Sequence, residues 1–234
     1  MRILTIETST PLEIVAVVED DVVLAERRTA AGRAHADELA GSIAEALERS
    51  GTELHGLGAI AVSIGPGRFT GLRVGLATAK GLAVTTGVGV RAVRTLPALA
   101  LSSGCADGLV CPVLDARRGE VYAALVRFGG AALLMAEEAL APADLAARVR
   151  TLADGEPVIF IGTGAVAYRD EIGATLGAAA RFAPDDLTAP APRALATLAA
   201  EAQELRGATL AELEPVYLRG VVAHGGRGGT GGNA

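Results

Sequence analysis

Apolar and polar positions alternate from the start of the chain, Arg2-Ile3-Leu4-Thr5-Ile6-Glu7-Thr8, and the alternation breaks at Ser9-Thr10-Pro11. A period of two over that length predicts a strand. A second strand is expected over 13–18, an acidic turn at Glu19-Asp20-Asp21, and a third strand over 22–27, which together make a meander. Leu39, Ile43 and Leu47 then recur every four residues, predicting an amphipathic helix over 34–49 that stops at Gly51. Residues 57–64 read as a buried strand and Gly65-Pro66-Gly67 as a turn. A helix is expected over 70–86, a short strand over 88–93, and another helix opening at Thr95-Leu96-Pro97.

The order then starts again. Residues 109–114 form a strand pattern leading into Asp115, 120–128 alternate, Gly129-Gly130 turns, and 131–138 return. A helix over 143–152 and a buried strand over 158–161 follow, ending in Gly162-Thr163-Gly164. Each half opens with a strand that ends in an acid, Glu7 or Asp115, and continues into a strand led by Glu13 or Glu120. This shared order predicts a duplicated ββαβ-type unit in an α/β protein, with the boundary near 102–107. The expected division is an N-terminal lobe over 1–103 and a C-terminal lobe over 104–224. A glycine-rich tail, expected to be disordered, occupies 225–234. An Ala-rich helix is expected over 192–206.

Composition narrows the function classes. Half of the residues are hydrophobic, only 3% are aromatic and none is Trp, so Ala, Val, Leu and Gly must fill the core. No apolar run approaches the ~20 residues of a membrane span, and the first residues do not have the shape of a signal peptide. A cytoplasmic protein is expected. The net charge of −6 argues against a chain that grips nucleic acid by itself. Cys105 and Cys111 fit no zinc or redox spacing and read as ordinary reduced residues. The three histidines, His35, His55 and His224, form no HExxH or HxxxH pair, and there is no GxSxG elbow.

Three segments are chemically distinctive. The first, Gly65-Pro66-Gly67-Arg68-Phe69-Thr70-Gly71-Leu72-Arg73, lies at a strand-to-helix junction, where an anion is favoured. Neither the Walker spacing nor the dinucleotide spacing is met, and the alternative is a tight turn with Thr70 capping the helix. Behind that turn Gly71, Gly75, Ala79 and Ala83 fall every four residues as a smooth strip flanked by Leu72 and Leu76. The strip packs either on the chain's own sheet or on a helix of a second chain; spacing alone does not choose. The second segment places Asp115, Arg117, Glu120 and Tyr122 around a turn, readable as paired carboxylates or as an Arg–Glu-ordered hairpin. The third is the glycine pair Gly162 and Gly164.

Taken with Ile3-Leu4-Thr5-Ile6-Glu7-Thr8-Ser9 and Glu214-Pro215-Val216-Tyr217-Leu218-Arg219, these segments closely resemble the bacterial TsaB (YeaZ) family, in the family's order up to Arg219. The resemblance implies the duplicated ribonuclease-H-like fold of the actin, Hsp70 and sugar-kinase superfamily, two lobes with mixed sheets flanked by helices. It implies a non-catalytic subunit needed for threonylcarbamoyl transfer to N6 of adenosine 37 in tRNAs that read ANN codons. The partners implied are the transferase TsaD and the ATPase TsaE; ATP or ADP and a metal belong to those partners, and tRNA is met only indirectly. Where the transferase carries a histidine pair for its metal, residues 93–99 here hold no metal-binding side chain.

The family pairs through its first two helices. On this chain the resemblance assigns the interface to His35, Leu39, Ile43, Phe69, Thr70, Leu72, Arg73, Gly75, Leu76 and Ala79, a surface that also allows a homodimer. On that reading Gly75→Leu would block pairing while the monomer still folds. Gly41 departs from the family pattern, which often has Pro there. The rival expectation is a small-molecule kinase or ATPase of the same superfamily, which needs phosphate loops in both halves and acids for Mg²⁺.

Overall fold

A computed structural model of the chain describes residues 1–30, 36–130 and 132–218. His35, Arg219 and the 225–234 tail lie outside the described residues. The expected meander is present as β1 (Arg2–Glu7), β2 (Leu12–Glu19) and β3 (Val22–Ala30). It continues into α1 (Ala36–Arg49), β4 (Ala59–Ser63), α2 (Phe69–Thr86), β5 (Val90–Val93) and α3 (Thr95–Leu101). The second series is β6 (Gly108–Arg117), β7 (Glu120–Phe128), β8 (Ala132–Leu140), α4 (Pro142–Ala153) and β9 (Val158–Ile161). After it come α5 (Thr163–Ala167), α6 (Arg169–Leu176), β10 (Ala180–Phe182) and α7 (Pro192–Glu201). The short elements β11 (Glu204–Leu205) and α8 (Gly207–Ala211) follow.

Two mixed sheets result, ordered β11-β5-β4-β1-β2-β3 and β10-β9-β6-β7-β8. With β11 set aside, the orders correspond strand for strand. In each, the opening strand pairs antiparallel with its meander neighbour and parallel with the strand after the helix. The duplicated ribonuclease-H-like fold expected from the sequence is therefore present. The near-continuous apolar runs of β4 and β9 follow from their central, parallel positions between helical layers.

The lobes are not separable at residue 103. The last helix of each series crosses to the other sheet. α3 places Leu96, Leu99 and Ala100 against Val110, Leu114, Ala124 and Ile161 of the second sheet. In return α7 lays Leu195, Ala196 and Ala199 on Ile3, Ala16 and Val18 of the first. β11 then pairs antiparallel with β5, and Leu210 of α8 joins the core beneath α1 and α2. The expectation of a second lobe running over 104–224 is corrected: from Pro192 onward the described chain belongs to the first sheet. The late helix is also shorter than 192–206. Three carbonyls at its end, Ala199, Ala200 and Ala202, accept hydrogen bonds from the Arg91 guanidinium at 2.9, 3.0 and 3.0 Å.

α2 corrects the reading of the small-residue strip. The helix begins at Phe69, with Arg68 in the capping position and no side-chain cap, so Thr70 lies inside the first turn. The strip faces inward. A Cβ on Gly71 would stand 2.0 Å from the Thr8 carbonyl oxygen, and one on Gly75 would stand 2.2 Å from Thr8 Oγ1. That hydroxyl donates to the Gly71 carbonyl at 2.8 Å, so the helix sits directly on the end of β1. Leu72, Leu76 and Ala79 are buried, as are Leu39 and Ile43 of α1. These five side chains and Gly75 are covered by the chain's own sheet and are withdrawn from the expected interface. The physical reason is that a glycine strip allows any backbone to approach closely, and here the nearest is β1. We therefore expect Gly75→Leu to destabilise the isolated chain, by about 1–3 kcal/mol or more as for other overpacked sites. A urea midpoint unchanged from the parent would contradict this placement.

Candidate functional site

The two opening strands end side by side, and a recess forms where they meet. It is lined by Ser9, Thr10, Gly67 and Arg68 of the first lobe and by Asp115, Arg117 and Thr163 of the second, and its volume is about 40 Å³. Clefts that hold drug-sized ligands measure roughly 300–1,000 Å³, and this recess is well below that range. The glycines that a phosphate would need are already used. A Cβ on Gly67 would meet the Ser9 carbonyl oxygen at 2.4 Å, and one on Gly65 the Val216 carbonyl oxygen at 2.6 Å. Gly162 and Gly164 stand equally close to Val113 within β6, Gly162 against its carbonyl oxygen and Gly164 against its side chain and the Leu114 backbone. All four let backbone pass backbone within the chain.

Glu7 lies behind this recess with no exposed surface. The Ser9 N–H donates to Oε1 at 2.6 Å and Ser9 Oγ donates to the same oxygen at 2.5 Å. Ser63 Oγ donates to Oε2. Burial pushes the carboxyl above its ordinary value, and these hydrogen bonds only partly offset it. A closed set of this kind orders the turn after β1 and presents no carboxylate to a substrate. In the second lobe the Asp115 N–H donates to Thr163 Oγ1 at 2.9 Å, and Asp115 Oδ1 accepts from the Arg117 N–H at 2.8 Å. Arg117, Arg118 and Gly119 all have positive φ and reverse the chain, which puts Arg117 opposite Glu120 and Asp115 opposite Val121. Tyr122 pairs with Leu114, and burial raises its phenol. Residues 115–122 thus form a hairpin, in which the Arg117 guanidinium meets Asp115 at 3.5 Å. Among the described residues no group of three or more His, Cys, Asp or Glu is placed to hold a metal.

The outer surface of α1 and α2 differs from both recess and core. Phe69, Thr70 and Arg73 are exposed, and so are Ala40, Gly41 and Ala44 on α1 and Ala77 and Gly81 on α2. A Cβ on Gly41 or Gly81 would meet nothing within 4 Å. Mid-helix glycine costs roughly 1 kcal/mol relative to alanine, yet nothing within the chain crowds either position. Beside this surface Tyr217 stacks on Phe69 with ring centroids 5.3 Å apart, and Arg73 lies over the Phe69 ring at 3.9 Å. The Val216 N–H donates to the Ile64 carbonyl at 2.7 Å, fixing the 213–218 segment against the start of α2.

The structure thus gathers Glu7, Gly65 and Gly67 with Asp115, Arg117, Gly162 and Gly164 around the recess, and Phe69, Thr70, Arg73 and Tyr217 at the head of α2. Sequence reasoning missed Ser63 and Thr163, which hold the two acid-bearing turns. It also missed the Arg94–Glu137 ion pair, which links the end of β5 to β8. Glu137 is raised by burial more than Arg94 lowers it. A pair 43 residues apart has no sequence signal.

Glu7 yields a pH test. With its value raised above 4.5, the folded chain holds more proton here than the unfolded chain, so this group removes stability as pH rises above that point. Glu7→Gln removes the ionisation, and its amide nitrogen can donate to Ser63 Oγ in place of the bond that Ser63 donates to Glu7. The variant should therefore gain on the parent progressively as pH rises above 4.5 in urea unfolding. Parallel curves would count against a buried proton at Glu7.

Three comparisons bear on identity. The family model described as TsaD, tRNA N6-adenosine threonylcarbamoyltransferase, matches residues 28–224. The tRNA threonylcarbamoyladenosine biosynthesis protein TsaB of Bacillus subtilis is 30% identical over 221 residues, 94% of each chain. TsaB of Escherichia coli is 34% identical over 230 residues, 95% of this chain and 96% of that one. A tRNA N6-adenosine threonylcarbamoyltransferase of Methylorubrum extorquens is 45% identical over 84 residues, 36% of this chain and 24% of its own. Among solved structures YeaZ from Pseudomonas aeruginosa superimposes with a TM-score of 0.76 at 27% identity, over 93% of this chain and 99% of that one. Full-length likeness, the shared fold and the motifs from Ile3 to Leu218 agree: the chain belongs to the TsaB (YeaZ) family.

Proposed function

We propose that this chain is a non-catalytic subunit of the machinery that makes N6-threonylcarbamoyladenosine at position 37 of tRNAs reading ANN codons. It acts by binding the transferase TsaD, with TsaE joining them. The names carried by its B. subtilis and E. coli relatives support the pathway. The match to the transferase's own family model supports a like-with-like pairing of two related folds. ATP or ADP and the metal reside with the partners; the 40 Å³ recess supports this assignment. A net charge of −6 supports indirect contact with tRNA.

The observation that carries the reading is the open space above Gly41 and Gly81 on the exposed faces of neighbouring helices. Small outward residues let a second pair of helices approach closely and bury a smooth surface. The contact passes through Phe69, Thr70, Arg73, Ala77 and Gly81 with the exposed side of α1. The same surface suits a homodimer when the transferase is absent.

Gly81→Leu should leave the melting temperature of the isolated chain within a few degrees of the parent while weakening capture of TsaD at least about tenfold, a loss of about 1.4 kcal/mol. Retained affinity would move the contact elsewhere. In a reconstituted reaction with TsaD, TsaE, threonylcarbamoyl-adenylate and tRNA, omitting this chain should abolish modified adenosine. The chain by itself should produce none. Equal yields with and without it would overturn the proposal.

A further inference from the structure

The face of the first sheet turned away from α1 and α2 is covered by α7. Ile3, Ala16 and Val18 meet α7, whereas Leu4, Val15 and Val17 join the core beneath α1 and α2, as the alternation of strand side chains requires. A recess of about 500 Å³ opens on this far side, between the start of α7, the end of α3 and the turn from β2 to β3. Clefts that hold small molecules measure roughly 300–1,000 Å³, so this one is large enough for a ligand. Ser102 fixes one wall: its Oγ accepts from the Ala191 N–H at 2.8 Å and donates to the Ala98 carbonyl at 2.7 Å.

Two opposite charges line this recess without meeting. Asp21 and Arg193 are both exposed, and among the described residues neither forms an ion pair. The Met1 ammonium, which lines an adjoining recess together with Asp21, is held instead by Asp20 at 2.8 Å. Asp21 Oδ1 accepts a long hydrogen bond of 3.4 Å from Thr197 Oγ1, which places its carboxylate over that position of α7. Position 193 lies one helical turn away from position 197, about 6 Å along the axis. Leu101, Ala191 and Ala194 supply the apolar part of the lining.

We propose that this recess binds a zwitterion the size of a dipeptide, its ammonium group on Asp21, its carboxylate on Arg193 and its side chain against Leu101, Ala191 and Ala194. Two extended residues span at most about 7 Å, which suits two charges set about one turn of α7 apart. A charge-assisted hydrogen bond at each end fixes the direction of the ligand, and the apolar wall between them takes its side chain. A simple anion or cation would leave one of the two charges unanswered. The site goes beyond the pairing proposed above, because it lies on the opposite face of the sheet from α1 and α2.

Cys105 lines the recess and is partly exposed, whereas Cys111 is fully buried. Alkylation of the native chain by iodoacetamide, followed by mass spectrometry, therefore reports whether the recess is filled. The probes are alanyl-leucine, its N-acetyl form and its C-terminal amide. Alanyl-leucine should slow alkylation saturably, and each blocked form should require at least about ten times the concentration for the same protection. Asp21→Asn should bring alanyl-leucine down to the level of its N-acetyl form, and Arg193→Gln down to the level of its amide. Asparagine suits the positive φ of 68° at position 21, so the turn should survive the first substitution. Equal protection by all three probes, none by alanyl-leucine, or a preference that both variants retain would overturn the proposal.

Discussion

The exchange of α3 and α7 between the sheets is the constraint on which the rest of the molecule depends. Each is a short helix, and α7 is rich in alanine, so neither has a large apolar face of its own. Buried between the lobes, however, Leu96 and Leu99 complete one sheet's core and Leu195 and Ala199 complete the other's. Burying a leucine fully contributes about 1.5–3 kcal/mol, so detaching either helix would expose several such side chains at once. The lobes are therefore coupled through their cores, with the Arg94–Glu137 pair added at the edge. That coupling brings the ends of β1 and β6 together, and the recess between them is correspondingly small.

Glycine then makes the closure possible from within. Gly65, Gly67, Gly162 and Gly164 occupy the strand-to-helix junctions where related architectures can cradle an anion, yet each stands against the chain's own backbone. The absence of Cβ atoms has been used for internal approach. Glu7 shows the same economy: a strand-end acid is enclosed by two serines and buried. The two features that suggested nucleotide chemistry thus have local structural work in this conformation, and the exposed helical surfaces become the places to look for function.

Much of the fold was legible because its signals are local. Alternation marked β1, β2, β7 and β8, and the four-residue recurrence of Leu39, Ile43 and Leu47 marked α1. The strands over 120–128 and 158–161 were bounded as observed. What escaped was short or long-range. α5, α6 and α8 span eight residues or fewer, too short for a strong period. The return of α7 to the first sheet depends on contacts with residues nearly two hundred positions away, and nothing in the repeated order of elements reveals a helix exchange. The site was legible in its motifs but not in its orientation. Four small residues spaced by four define a strip whichever way it faces.

The orientation of α2 resolves that ambiguity on physical grounds. Gly71 and Gly75 are required by Thr8, because any side chain there would collide with β1. Gly41 and Gly81 have no such requirement; alanine would fit each and favour the helix. The pairing proposed above would give such glycines on exposed helices a role, because it brings a second backbone close to them. The inward strip therefore accounts for how the helix is seated. The outward positions, displaced by two residues from the strip that the sequence made conspicuous, are where a second protein would come close. On the pairing proposed above, recognition uses the solvent side of a helix whose other side is already committed to the fold.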